Sequence, residues 1–304
     1  MTYNNFEFQG YNKFDLMGYS WTCDQPKANV LIVHGMSEHA GRYNAFAEFL
    51  NNNGVNVFSS DLRGHGKTAG SIENVGLFAM ENGWQKVIQD QKILITQISQ
   101  QNDLPTFVLG HSMGSFVARS LSFSGEKRIA GYLFSATAGD PGFLGRAGKI
   151  IATINSQLLG KKNRSKLLDK MAFGDFNKKI ENPRTTKDWL TKDNSIVDEY
   201  MNDPFCMQLF TSQFYTDLLE GVLTVNHNNN IKRMEKVPYL LFAGEMDPVG
   251  DYGAGVQKVF QMMLKEQHNV QLKLYEDGRH EMLNETNRSN VYDDVLNWII
   301  TQLT

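Results

Sequence analysis

The chain has 304 residues, 41% of them hydrophobic and 21% charged, and its 30 Lys and Arg against 33 Asp and Glu leave a net charge of −3. A body of this size buries roughly three quarters of its unfolded surface, and the composition excludes a disordered or fibrous chain. So even a charge supplies no overall drive toward nucleic acid, which leaves an enzyme or binding protein of one large domain or two.

The first residues, Met1–Glu7, carry no basic n-region and no apolar h-region, so no signal peptide is expected. No stretch approaches the roughly 20 apolar residues of a spanning helix. Cys23 and Cys206 are far apart and form no CxxC pair, which points to two reduced thiols in a cytoplasmic protein rather than a disulfide scaffold or a zinc site. Phe6–Gln9 and Phe14–Trp21 read as a short antiparallel hairpin. Short apolar, β-branched runs follow at Val30–Val33, Val55–Phe58, Phe107–Leu109, Tyr132–Phe134, Tyr239–Phe242 and Val270–Tyr275, and near-continuous runs of this kind fit strands buried on both faces of a parallel sheet. Between them, Tyr43, Phe46, Ala47 and Leu50 share one face of a helix, as do Trp84, Val87, Gln91, Leu94, Ile95 and Ile98, and a last stripe holds Tyr292, Val295, Leu296 and Ile299. Alternating strands and helices predict an α/β fold with a mainly parallel central sheet.

The alternation breaks from about Asp140 to Lys236. This stretch shows helical patterns such as Leu144, Ala147, Ile151, Ile154 and Leu158, and reads as a helical insertion over the sheet. Its first part holds nine basic residues (Arg146, Lys149, Lys161, Lys162, Arg164, Lys166, Lys170, Lys178 and Lys179) against Asp140, Asp169 and Asp175. That is +6, and it leaves −9 for the remainder.

Phe107–Gly114 runs a strand into Gly110-His111-Ser112-Met113-Gly114, and helix-compatible residues follow. A G-x-S-x-G in that strand–turn–helix context is a nucleophile elbow, with the serine oxygen exposed at the strand end. A serine hydroxyl needs a base to take its proton. Of seven histidines, His111 adjoins the serine and would point away, His34, His39 and His65 precede it, His227 adjoins an asparagine run, and His268 falls in a polar, helical-looking stretch. His280 remains, in a loop just after the final apolar run, where sheets of this kind present their sites. The base in turn needs a carboxylate, and Asp247 sits just past Tyr239–Phe242. Glu245 and Asp251 are its local rivals, with Asp277 and Glu281 further behind. Ser112, Asp247, His280 is then the chain order of nucleophile, acid and base. Donors for a developing oxyanion are the amide of Met113, immediately after the serine, and that of Met36, after His34-Gly35 at the end of Val30–Val33.

Three segments, His34-Gly35-Met36-Ser37-Glu38-His39-Ala40-Gly41-Arg42-Tyr43, Asp61-Leu62-Arg63-Gly64-His65-Gly66-Lys67 and Gly110–Gly114, resemble the monoacylglycerol lipase/lysophospholipase group of α/β-hydrolases, with which the serine aminopeptidase-like hydrolases share much of the pattern. The resemblance covers almost the whole chain. It implies an α/β-hydrolase core over residues 1–139 and 237–304 with a helical cap over 140–236, and it places the family's triad on Ser112, Asp247 and His280 and its oxyanion amides on Met36 and Met113. The implied reaction is hydrolysis of a carboxylic ester, of a monoacylglycerol or another single-chain lipid ester, through an acyl-enzyme and without metal or organic cofactor. Ser115 and Thr68 depart from the usual glycine and serine. Other readings are a peptidase, which needs an acidic group in its pocket for the substrate's amine, a lysophospholipase, and a non-catalytic ligand receptor. Glu38, Arg42 and Arg63 are read as ion pairs and backbone bonds shaping the loops. The apolar residues Phe143, Leu144, Ile150, Ile151 and Ile154 either line an acyl tunnel or pack the cap on the core. The basic segment is either a solvated face or a contact for anionic lipid, and the substrate is a small acyl ester rather than nucleic acid.

Overall fold

A computed structural model describes residues 2–174 and 176–303. Asp175, counted in the charge of the basic segment, lies outside the described residues.

The strands are β1 (Thr2–Gln9), β2 (Asp15–Thr22), β3 (Ala28–Val33), β4 (Val55–Ser60), β5 (Thr106–His111), β6 (Ile129–Ser135), β7 (Tyr239–Gly244) and β8 (Val270–Tyr275). They form one eight-stranded sheet in the order β1-β2-β4-β3-β5-β6-β7-β8. The hairpin β1–β2 is longer than its apolar residues suggest, and it joins the main sheet through an antiparallel pairing of β2 with β4. Every other pairing is parallel. The runs β3, β4, β5 and β7 are buried along their whole length, as strands covered on both faces must be. Val270–Tyr275 departs from that expectation: as the last strand of the sheet it alternates, with Gln271 and Lys273 exposed.

Helices α1 (Asn44–Asn52), α2 (Gly83–Gln101), α3 (Met113–Ser122), α9 (Ala254–Lys265) and α10 (Arg288–Thr301) flank the sheet. Tyr43, Phe46, Ala47 and Leu50 bury one face of α1 and the turn before it, and all six residues of the α2 stripe are buried. His268 lies just past the end of α9 rather than within a helix, and its Nε2 bonds the carbonyl of Ile231.

No strand of the sheet falls between β6 and β7 among the described residues. That stretch carries α4 (Gly142–Leu159), α5 (Lys166–Phe173), α6 (Asn194–Asn202), α7 (Ser212–Val225) and α8 (Asn228–Lys232). The apolar stripe of α4 neither lines a tunnel nor packs on the core. Phe143, Leu144, Ile150, Ile151 and Ile154 are all exposed, and the buried face consists of Gly145, Gly148, Ala152 and Ser156. Small residues let α4 approach α7 closely, so helix periodicity marks the wrong face as the packed one.

Candidate active site

The sheet's carboxyl edge brings four loops together. After β5, Ser112 sits at φ 52°, ψ −119°, in the strained turn that opens α3. Its amide donates to Ser135 O at 2.9 Å. A Cβ on Gly110 would lie 2.2 Å from Gly114 O, and one on Gly114 would lie 2.0 Å from Val33 O, so both flanking positions exclude any side chain. Ser115 takes the place of a third glycine at a cost the site absorbs, since its hydroxyl donates to Ser112 O at 2.6 Å.

After β7, the Asp247 side chain is fully buried, and its Oδ1 accepts from Val249 N at 2.9 Å. The same oxygen stands 2.9 Å from His280 Nδ1, whose ring is 3% exposed. A carboxylate acceptor at Nδ1 fixes the proton there and leaves Nε2 as the free base. Burial pulls the His280 pKa down, but the Asp247 carboxylate outweighs it, and the value stands above the usual 6.5. The rivals Glu245 and Asp251 are exposed. Ser112, Met113, Met36 and His280 line one cavity of about 160 Å³. The Ser112 hydroxyl makes no hydrogen bond among the described residues, and contacts of this kind tighten when substrate arrives.

The loop after β3 carries the second candidate amide. Gly35 packs so close to the nucleophile that a Cβ on it would lie 3.2 Å from Ser112 Cβ. Glu38 Oε1 accepts from Gly35 N at 2.5 Å and from the Tyr43 hydroxyl at 2.9 Å, which fixes the chain on either side of Met36. Arg42 grips Glu281 through two bonds, 2.6 and 2.7 Å, and reaches Glu38 at 3.1 Å. Burial alone would raise the Glu281 pKa, yet Arg42 draws it to about 2. The Met36 loop and the His280 loop are thereby tied through one guanidinium. His34 is not a base: burial holds it down to about 3, Nδ1 donates to Gly35 O at 2.8 Å, and Nε2 accepts from Leu62 N at 2.9 Å. Arg63 lies away from the site, paired with Asp90 at 2.6 Å and bonded to Tyr11 O.

Sequence reading missed the aromatic wall. Trp189 stands 5.0 Å from the His280 ring and meets Phe173 and Phe176, and with Leu218 and Val222 these side chains line the cavity. Backbone bonds bolt this wall to the base loop: His280 N donates to Trp189 O and Glu281 N to Leu190 O. Tryptophan followed by leucine in a helix-poor stretch was the available signal, without periodicity to mark it. The cavity is apolar apart from Ser112, His280, Ser37, His111, Tyr200 and the two glutamates, and both glutamates are engaged.

Among the described residues, His39, Asp203 and Cys206 crowd their ligand atoms within 4.8 Å. His39 already uses both nitrogens, with Nε2 2.8 Å from Asp203 Oδ2 and Nδ1 accepting from Gly41 N at 3.2 Å, so the group serves as a hydrogen-bonded tie between two loops. Both cysteines are free, and burial pushes the Cys206 thiol pKa up. No helix is long and apolar enough to cross a membrane among the described residues.

An eight-stranded, mostly parallel sheet with flanking helices and a serine elbow defines an α/β-hydrolase. Residues 24–287 match the family described as Serine aminopeptidase, S33, and the chain belongs to that serine hydrolase family. It is similar to the monoacylglycerol lipase of Mycolicibacterium smegmatis, 26% identical over 99% of both chains. It is also similar to phospholipase YtpA of Bacillus subtilis, 26% identical over 90% of this chain and 95% of that protein. The structure of a thermostable carboxyl esterase from Bacillus coagulans in complex with glycerol superposes with a TM-score of 0.93 at 26% identity, covering 100% of both chains. The protein is a carboxylic ester hydrolase.

Proposed function

We propose that this ester hydrolase acts on monoacylglycerols or other single-chain lipid esters through an acyl-enzyme. Ser112 is the nucleophile, His280 takes its proton and passes it to the leaving alcohol, and Asp247 holds the imidazole and stabilises its charged form. The amides of Met36 and Met113 receive the oxyanion. Residues 1–139 and 237–304 form the core in this reading, and residues 140–236 the cap that supplies the aromatic wall. The observation that carries it is that His280, bonded to Asp247 at 2.9 Å, and Ser112 line one largely apolar cavity. Such a cavity accepts an acyl chain. The amine of a peptide substrate finds no free carboxylate there, since Arg42 holds both glutamates.

A panel of glycerol esters, lysophospholipids, simple acyl esters and aminoacyl amides, compared by kcat/KM, tests the substrate class. Single-chain lipid esters are expected to lead by at least tenfold, about 1.4 kcal/mol. Leading aminoacyl amides would shift the reading to the peptidase.

The exposed face of α4 gives the cap a lipid-surface contact in the same reading. Leu144 is 80% exposed, Phe143 82% and Leu158 78%, and the exposed Lys162, Lys166 and Lys170 follow α4 in the chain. Apolar residues beside cations suit an anionic bilayer interface. Replacing Leu144 and Leu158 together by serine is expected to weaken cosedimentation with phosphatidylglycerol vesicles by about tenfold or more, from the apolar area lost. Unchanged cosedimentation would rule this contact out.

A further inference from the structure

A second chamber of about 440 Å³ adjoins the catalytic cavity and shares Ser37 and Phe173 with it. Its lining is mixed, with Phe173, Met207 and Leu209 among polar and charged side chains. Where the first is walled by apolar and aromatic side chains, this one presents Lys170, Lys187, Asp169, Thr186 and Gln208. Ser37 directly follows Met36, so the residue after the candidate oxyanion amide lines both spaces, and an ester held at the site has one beside it for its acyl chain and another for its alcohol.

Lys187 is the informative residue. Its ammonium lies 5.3 Å from the centre of the Phe173 ring and 5.8 Å from that of Tyr200, and among the described residues it forms no ion pair. Burial lowers its pKa, and Asp169 and Cys206 oppose the shift without contacting it. Asp169 itself accepts from the Tyr215 hydroxyl at 3.3 Å. A partly desolvated lysine held over two rings, with no carboxylate in contact, is short of an anion. Lys170 adds a second cation on the same wall, and the surrounding segment is the basic part of the chain. A lysine is a point charge suited to a phosphate.

We propose that this chamber is a head-group site that takes the phosphate of a single-chain phospholipid ester, with Lys187 as its counter-ion and the acyl chain in the apolar cavity. It rests on the ester-hydrolase reading above and names the substrate's alcohol side. The test compares kcat/KM for a lysophosphatidic acid and for a monoacylglycerol with the same acyl chain. Lys187→Gln is expected to lower the ratio of the first to the second by about 10- to 100-fold, the worth of one charge-assisted bond, and Lys187→Arg to keep most of it. A ratio unchanged in Lys187→Gln, or an equal fall on both substrates, overturns the proposal. Calorimetry on Ser112→Ala protein needs no turnover and separates the sources of phosphate. Glycerol 3-phosphate should bind there, and binding should vanish when Lys187→Gln is added. Inorganic phosphate binding alone, or binding of neither compound, overturns the head-group site. Absence of hydrolysis of every ester in the wild type would instead strike the ester reading, while the calorimetric result still decides the chamber.

Discussion

Ser112→Ala is expected to remove ester turnover while leaving the fold in place. Loss of a nucleophile that works with a base as one unit costs on the order of 10⁴- to 10⁶-fold in kcat, leaving only what the oxyanion donors and binding contribute. The fold should survive because the Ser112 hydroxyl carries no hydrogen bond among the described residues, while the turn around it depends on the Ser112 amide, on its carbonyl, and on the glycines at 110 and 114. Alanine keeps all of these. It must adopt the same positive φ, a strain the serine already bears. A fluorophosphonate probe should label the wild type at one residue and the variant not at all, with the two melting within a few degrees of each other, as about 1 kcal/mol or less would give. Turnover retained by a folded variant would reject Ser112 as the nucleophile.

The sheet and most of its helices were legible because each depends on one local pattern. Val30–Val33 and Tyr239–Phe242 are apolar without interruption, and only a strand covered on both faces accommodates that. The meeting of the Ser112 turn, the Asp247 turn and the His280 loop was legible for a related reason: each follows a strand directly, so parallel strands bring their ends to one edge however far apart they are in sequence. The segment between β6 and β7 offered nothing of the kind. On α4 the apolar residues face water, and glycine, alanine and serine make the contact with α7, because close approach mattered more than hydrophobicity. Phe176 and Trp189 reach the cavity from irregular chain, where neither period applies, and Phe173 from the last residue of α5. The ties of Arg42 were partly readable. Its pairing with Glu38 is an i, i+4 contact, whereas the grip on Glu281 spans 239 residues and exists only once the two loops meet. That grip links the candidate oxyanion loop to the loop of the base, so misplacement of either moves the other.

Asp247→Asn is expected to lower kcat by about 10⁴-fold with little change in stability. The amide preserves shape, and its oxygen can still accept from Val249 N. Because one oxygen, Oδ1, takes both bonds, an amide that turns its NH₂ group to His280 Nδ1 gives up the Val249 bond and drives the ring proton to Nε2, leaving no base toward Ser112. One that keeps its oxygen there holds the ring without the carboxylate's charge. The pH profile carries a second signature. In the wild type burial lowers the His280 pKa and Asp247 raises it further, for a net rise above 6.5. Only the neutral ring accepts the serine proton, so kcat/KM should climb with pH through a midpoint above 6.5 and flatten beyond it. Without the carboxylate the main raising influence is gone and only the more distant charges of Glu281 and Glu38 still oppose burial, so the residual activity of the variant should titrate at a lower pH than the wild type. Glu245→Gln and Asp251→Asn should behave like the wild type in both rate and profile, since both side chains lie in solvent. A near-normal rate in Asp247→Asn would pass the role to one of those two, and a flat wild-type profile from pH 5 to 8 would remove His280 as the base.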